Sequence, residues 1–230
     1  MTLERIFVGA DFDDARAFGA AGAANIPILT VDERSMRSLS QTQQPQGIVA
    51  VARFFHREIG ALADAVGSGC EPCLVAVLHE INDPGNAGTL IRSAEAFGAR
   101  AVCCGEAGVD PYNEKVVRSS MGSMFQVPLF IYGGWAEMAQ AARQAGLQIV
   151  AAQAGAPDVR AVTLAPRTAL VVGHERKGLA GVAAGDVDVR VGIPQSPKAD
   201  SLNAAVAGSI VMYEIARAIG CLPLRAPENE

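Results

Sequence analysis

From Leu74 onward, short continuous apolar runs alternate with stretches in which apolar residues recur every three or four positions. The runs predict strands at Leu74–His79, Ala101–Cys104, Val127–Tyr132, Gln148–Gln153, Thr168–Val172 and Val187–Ile193. Between them, 3.6-residue periodicity predicts helices over Asn86–Phe97, near Pro111–Ser120 and over Trp135–Ala145, with a long final helix over Leu202–Ile219. Strands that alternate with helices predict an α/β fold with a mostly parallel sheet covered by helices on both faces. A smaller α/β unit precedes it: strand Arg5–Val8, helix Asp11–Ala21, strand Pro27–Val31, a short helix starting at Asp32, and a strand through Gly47-Ile-Val-Ala-Val-Ala. Residues Gln41 to Gly47 are polar and contain Pro45, so they read as a loop. The Gly-Ser-Gly-Cys-Glu-Pro stretch ending at Pro72 sets the expected boundary, giving domains 1–68 and 69–230.

Composition narrows the classes. Apolar residues make up 50% of the chain and charged residues 19%, which excludes a disordered tail. Every apolar stretch is interrupted well before the roughly 20 residues a membrane span needs, and no basic-then-apolar leader opens the chain, so a soluble, cytoplasmic protein is expected. The five cysteines form no even framework, and Cys70-x-x-Cys73 lacks a second pair to complete a zinc site. They are read as reduced thiols with no metal; redox work by Cys70 and Cys73 is the alternative. A net charge of −5 argues against a general affinity for nucleic acid. Yet Arg92, Arg100, Lys115, Arg118, Arg176, Lys177 and Lys198 fall beside glycine-rich segments, which keeps RNA as a candidate partner.

Three segments carry candidate chemistry. In Asn82-Asp-Pro-Gly-Asn86-Ala-Gly-Thr-Leu-Ile-Arg92, Pro84 and Gly85 turn the chain after a strand, Asn86 suits a helix cap, and Gly98 suits a left-handed helix end. Leu90, Ile91, Ala94 and Phe97 form the buried stripe, and Arg92 lies near the carboxyl ends of the strands, where open α/β sheets bind ligands. The plainer reading pairs Arg92 with Glu95 at the surface. In Gly173-His-Glu175-Arg-Lys-Gly178, a strand delivers a glycine and a carboxylate into a turn that fits neither the P-loop nor the Gly-x-Gly-x-x-Gly pattern. Gly173 would let a ligand approach the backbone, and Glu175 would accept hydrogen bonds from ribose hydroxyls or a backbone amide; alone, the segment reads as a turn. In Ile193-Pro194 through Ser201-Leu202-Asn203, a polar loop enters an Ala-rich helix, and capping accounts for Ser201 or Asn203 but not both.

In order and spacing these segments resemble the three motifs of the SpoU branch of the SPOUT RNA methyltransferases, over roughly Leu74 to Ala218; Ser119-Ser-Met-Gly-Ser123 resembles a further element of that family. The resemblance implies a C-terminal deep trefoil knot, S-adenosylmethionine as cofactor, a ribose 2'-hydroxyl as acceptor, and a homodimer built on the last helix. It implies Gly173, Ile193, Pro194, Ser201 and Leu202 as cofactor-binding residues and Asn86, Arg92, Glu175, Ser201 and Asn203 as catalytic ones. The first unit resembles the closing part of the ribosomal-protein-like RNA-binding domain of the ribosomal RNA members, in a shortened form. The expected activity is therefore methylation of ribosomal RNA, 23S favoured. Transfer RNA methylation and a non-catalytic knotted RNA-binding protein are the alternatives within the family. A nucleotide-linked oxidoreductase is the rival outside it, disfavoured by the absent Gly-x-Gly-x-x-Gly.

Overall fold

The computed structural model describes residues 1–40, 44–67, 69–174, 176–196, 198 and 201–222. It divides into two compact units, Met1–Phe55 and His56–Glu230.

In the first unit, β1 (Leu3–Gly9) lies between β2 (Ile28–Val31), which runs parallel to it, and β3 (Ile48–Ala52), which runs antiparallel. Helices α1 (Ala15–Ala23) and α2 (Glu33–Leu39) complete the unit. The first helix starts later than expected because Asp14 is its cap, its carboxylate accepting from the Arg16 and Ala17 amides. Asp32 caps the second in the same way, through the Ser35 amide. Ile6, Val8 and Ala21 form a small core, with Phe12, Ile26, Ile28 and Ile48 packed against it.

The second unit holds a seven-stranded sheet in the order β10-β8-β9-β5-β6-β7-β4, every adjacent pair parallel. The strands are β4 (Arg57–Glu58), β5 (Cys73–Leu78), β6 (Ala101–Gly105), β7 (Leu129–Tyr132), β8 (Gln148–Ala152), β9 (Arg167–Val172) and β10 (Val189–Val191). The helices are α3 (Leu62–Val66), α4 (Pro84–Ala96), α5 (Glu114–Ser119), α6 (Trp135–Gln144) and α7 (Ala204–Ile219). All six residues of β5 are buried, the mark of a central strand covered on both faces. Cys73, Val75 and Val77 join Leu62, Val66, Met138 and Ala142 in one core layer, so α3 and α6 cover that face. Helices α4 and α7 lie on the other and touch each other: a side chain at Gly208 of α7 would meet the Leu90 side chain of α4 at 2.6 Å.

The boundary falls earlier than the expected 68/69. Arg57 and Glu58 add β4 to the edge of the large sheet beside β7, and Ile59, Leu62 and Val66 sit at 0–1% exposure in its core. A two-residue strand is too short to show a period, which is why the composition shift at Gly67 drew the boundary instead.

Candidate cofactor and RNA site

Helix α4 begins two residues before the expected place. Asp83, not Asn86, is its cap: the Asp83 carboxylate accepts from the Asn86 amide at 2.8 Å, and Pro84, preset for helix, takes the first helical position. Asn86 is thereby released from capping and buried, its Oδ1 accepting a 2.9 Å hydrogen bond from Asn203 Nδ2. The expected left-handed residue at Gly98 is present, with φ of 76°. Arg92, two turns along, is exposed and pairs with no described residue; Glu95 faces the Ser123 hydroxyl instead. Of the cations expected to mark an RNA surface, Arg100 and Arg118 are engaged in exposed ion pairs with Glu71 and Glu114.

After β9 the chain folds back on itself: the Gly178 amide donates to the His174 carbonyl at 2.9 Å, and His174 Nδ1 accepts from the Arg176 amide at 3.0 Å. A Cβ on Gly173 would lie 2.3 Å from the Gly178 carbonyl oxygen, so only glycine permits this turn. Glu175 lies outside the described residues. After β10, Gly192 is pressed against the Ala156 carbonyl in the same way, at 2.7 Å from a would-be Cβ. Asn203 then caps α7, its Oδ1 accepting from the Ala205 and Val206 amides at 2.9 and 3.2 Å. Capping thus accounts for Asn203 and not for Ser201.

These turns and the start of α7 surround a cavity of about 700 Å³. Gly173, Ile193, Ser201 and Leu202 all line it; Pro194, between two lining residues, does not. Neither Asn86 nor Arg92 reaches its lining, so the Asn86–Asn203 hydrogen bond is the link from α4 to the cavity's edge. Leu179, Val182, Leu202 and Val211 supply apolar wall, while Arg176, Lys177 and Arg190 give the rim a positive character that the net charge of the chain conceals. No described lining residue is a carboxylate. A cavity of this size with small residues, backbone edges and a few polar groups suits a ligand the size of a nucleoside derivative. Among the described residues no cluster of His, Cys, Asp or Glu could hold a metal ion, and no helix is long and apolar enough to cross a membrane.

Residues 73–213 match the family model described as the SpoU rRNA Methylase family. The chain belongs to that family. Residues 1–57 of this SpoU protein match a second model, RNA 2'-O ribose methyltransferase substrate binding. Among curated relatives, the chain is 29% identical to the 23S rRNA (guanosine(2553)-2'-O)-methyltransferase RlmP of Bacillus subtilis, covering 83% of this chain and 73% of that one. It is 28% identical to the 23S rRNA (guanosine-2'-O-)-methyltransferase RlmB of Nitrosomonas europaea, covering 94% and 84%. Among solved structures, the AdoMet-bound rRNA methyltransferase of Sinorhizobium meliloti superposes with a TM-score of 0.81 at 26% identity, over 94% of this chain and 80% of that one. The SpoU methyltransferase AviRb of Streptomyces viridochromogenes gives 0.81 at 26% identity, over 95% and 83%. Sequence reasoning on this SpoU chain missed Gln153 and Arg190, which line the cavity and share a 2.8 Å hydrogen bond. They sit on neighbouring strand ends, and no local pattern marks such a pair.

Proposed function

We propose that this protein is an S-adenosylmethionine-dependent RNA methyltransferase that modifies a ribose 2'-hydroxyl, in 23S ribosomal RNA. The observation that carries the reading is the convergence of segments far apart in sequence. The turns at Gly173 and Gly192 and the start of α7 enclose one cavity, and Asn203 at its edge bonds Asn86 on the helix that bears Arg92.

Bound S-adenosylmethionine supplies an electrophilic methyl group on a sulfonium. The glycine-lined backbone at Gly173 and Gly192 gives the cofactor its close approach, with Ile193, Ser201 and Leu202 along the same wall and Pro194 stiffening the backbone between Ile193 and Gln195. Arg92 acts by charge: a guanidinium holds its proton too tightly to serve as a base. It holds the phosphate beside the target ribose and stabilises negative charge on the 2'-oxygen as the new bond forms. Its lack of an ion-pair partner among the described residues leaves it available for this. Asn86, Asn203 and Ser201 orient the ribose, and Glu175 accepts from its hydroxyls or from a loop amide.

In the same reading, the segment from Gly173 to Ile219 is threaded as a deep trefoil knot, which the likeness to the solved SpoU structures supports. An experimental backbone trace over these residues tests it. The first unit contributes to RNA binding, supported by its substrate-binding match. The protein works in the cytoplasm as a homodimer, with the second copy on α7. Val206, Ile210 and Tyr213 form an exposed stripe there, at 48%, 40% and 42% exposure, that a soluble helix does not otherwise need. Ile210→Glu is expected to halve the mass measured by light scattering; an unchanged mass contradicts the interface.

Mapping of 2'-O-methyl groups on ribosomal RNA from cells with and without the protein tests the activity. One 23S position should lose its methyl group in the deletion and regain it on complementation; identical maps would overturn the reading.

A further inference from the structure

At the C-terminal end of β5, between the sheet and the cavity loop, sits a histidine that the reaction as described does not use. His79 is 4% exposed. Its Nε2 lies 3.3 Å from the Ala180 carbonyl oxygen and its Nδ1 lies 3.1 Å from the Tyr132 hydroxyl. Two aromatic rings fix the plane of the imidazole: Tyr132 lies parallel at 6.4 Å and Trp135 meets it edge-on at 5.4 Å. These rings are themselves held. Trp135 donates from Nε1 to Asp186 at 2.9 Å, and Gly105 leaves room for the Tyr132 ring, which an added Cβ would approach to 3.0 Å.

A carbonyl oxygen can only accept, so the proton on the Ala180 side belongs to Nε2. Nδ1 then accepts from the Tyr132 hydroxyl, 3.1 Å away against 3.5 Å for the Leu78 carbonyl that the same hydroxyl also faces; burial keeps that hydroxyl protonated by pushing its pKa up. The neutral Nε2–H tautomer therefore satisfies both contacts, and the imidazole becomes a rigid strut between the sheet and residue 180. Ala180, with its neighbour Leu179, forms part of the cavity lining, and the glycines on either side, Gly178 and Gly181, have φ of 60° and 82°. The bonds within this loop, from the Gly178 amide to the His174 carbonyl and from the Val182 amide to the Leu179 carbonyl, shape it locally, and a contact to the rigid sheet adds a fixed point for its two flexible glycine positions.

We propose that His79 is a positioning residue that sets the cofactor-facing loop through the Ala180 carbonyl. The proposal rests on the reading of this cavity as the S-adenosylmethionine site.

The test compares variants that reach different ends of the imidazole. In His79→Gln the side-chain amide can place a donor where Nε2 stands, whereas in His79→Asn it reaches only as far as Nδ1; His79→Phe keeps a ring and loses both bonds. Calorimetric titration with S-adenosylmethionine should give a Kd within about threefold of wild type for Gln, and about tenfold weaker for Asn and Phe, the scale of one lost hydrogen bond. RNA affinity should be unchanged in all three. Gln and Asn variants equal to each other, whether both intact or both weakened, would overturn the proposal.

A second readout is independent of the cofactor. The chain has three histidines, so the His79 ring nitrogens can be assigned in a long-range proton–nitrogen spectrum by comparison with His79→Gln. The Nε2–H tautomer is expected, and a proton on Nδ1 alone overturns the strut. If wild type binds no S-adenosylmethionine, the reading of the cavity fails, and this spectrum still judges the contact.

Discussion

Strand β5 and the loops that surround the cavity occupy the same sheet system but are built on opposite principles. Every residue of β5 is buried, and ladder bonds to β6 and β9 satisfy its backbone on both edges. The loops after β9 and β10 are largely exposed, contain little regular structure among their described residues, and keep their course where glycine lets two stretches of backbone touch. The strand would hold its place with many apolar sequences, since burial and period are all it requires. The loops would not, because a single methyl group at Gly173 meets a carbonyl oxygen at 2.3 Å. On the proposed reading, stability resides in the first region and binding in the second, and substitutions that separate the two properties test that division.

The largest expected effect lies with Arg92, which belongs to the framework by position and, in the proposed function, to the site by chemistry. Arg92→Ala should lower single-turnover methyl transfer by about 10² to 10³, equivalent to roughly 3 to 4 kcal/mol of lost charge stabilisation, with unchanged S-adenosylmethionine affinity. Arg92→Lys, which keeps the charge without the fork, should fall between. Near-normal turnover of Arg92→Ala would remove the guanidinium from the mechanism. Next comes a framework glycine, Gly88 in α4, where a Cβ would collide with the Ser119 side chain and with the Val116 carbonyl at 2.8 Å. Gly88→Ala should cost about 1 to 3 kcal/mol in urea unfolding while the folded protein binds cofactor normally. A selective loss of binding with intact stability would blur the contrast between the regions.

The smallest effect is a pH dependence confined to the sheet. Burial raises the Cys103 thiol well above its ordinary value, and burial with the nearby Asp110 carboxylate raises Cys104 from 9.0 to about 12. Because the folded value lies above the unfolded one, this stabilisation is fully present below pH 9 and is lost as pH rises through about 12. Under reducing conditions, Cys104→Ala should therefore show a loss of stability between pH 8 and pH 10 smaller than that of wild type by on the order of 1 kcal/mol. Equal losses would contradict the assignment.

The same division explains what was legible in the sequence. The sheet strands and their helices announce themselves by period, and the elements observed in the second unit fall close to those expected, apart from β4 and α3. The start of α4 was misread because an asparagine suited to capping stands three residues after an aspartate that does the capping; the Asp83-Pro84 pair, with proline preset for the first helical position, was the available signal. The loops were legible only through the resemblance of Gly173, Gly178, Ile193, Ser201 and Asn203 to known motifs, since no periodicity governs a segment fixed by backbone-to-backbone contact. His79 could not be found in this way. Its partners lie 53 and 101 residues away, and only the folded sheet end brings Tyr132 and Ala180 to its two nitrogens.

The central claim is that the glycine-built loops form the cofactor site. Calorimetric titration of S-adenosylmethionine into wild type and Gly173→Ala, with urea unfolding of both, tests it most directly. The account predicts saturable binding to wild type, at least a tenfold weaker Kd for Gly173→Ala, and closely similar unfolding midpoints. Equal affinity in the two proteins, or no binding to wild type, would contradict it.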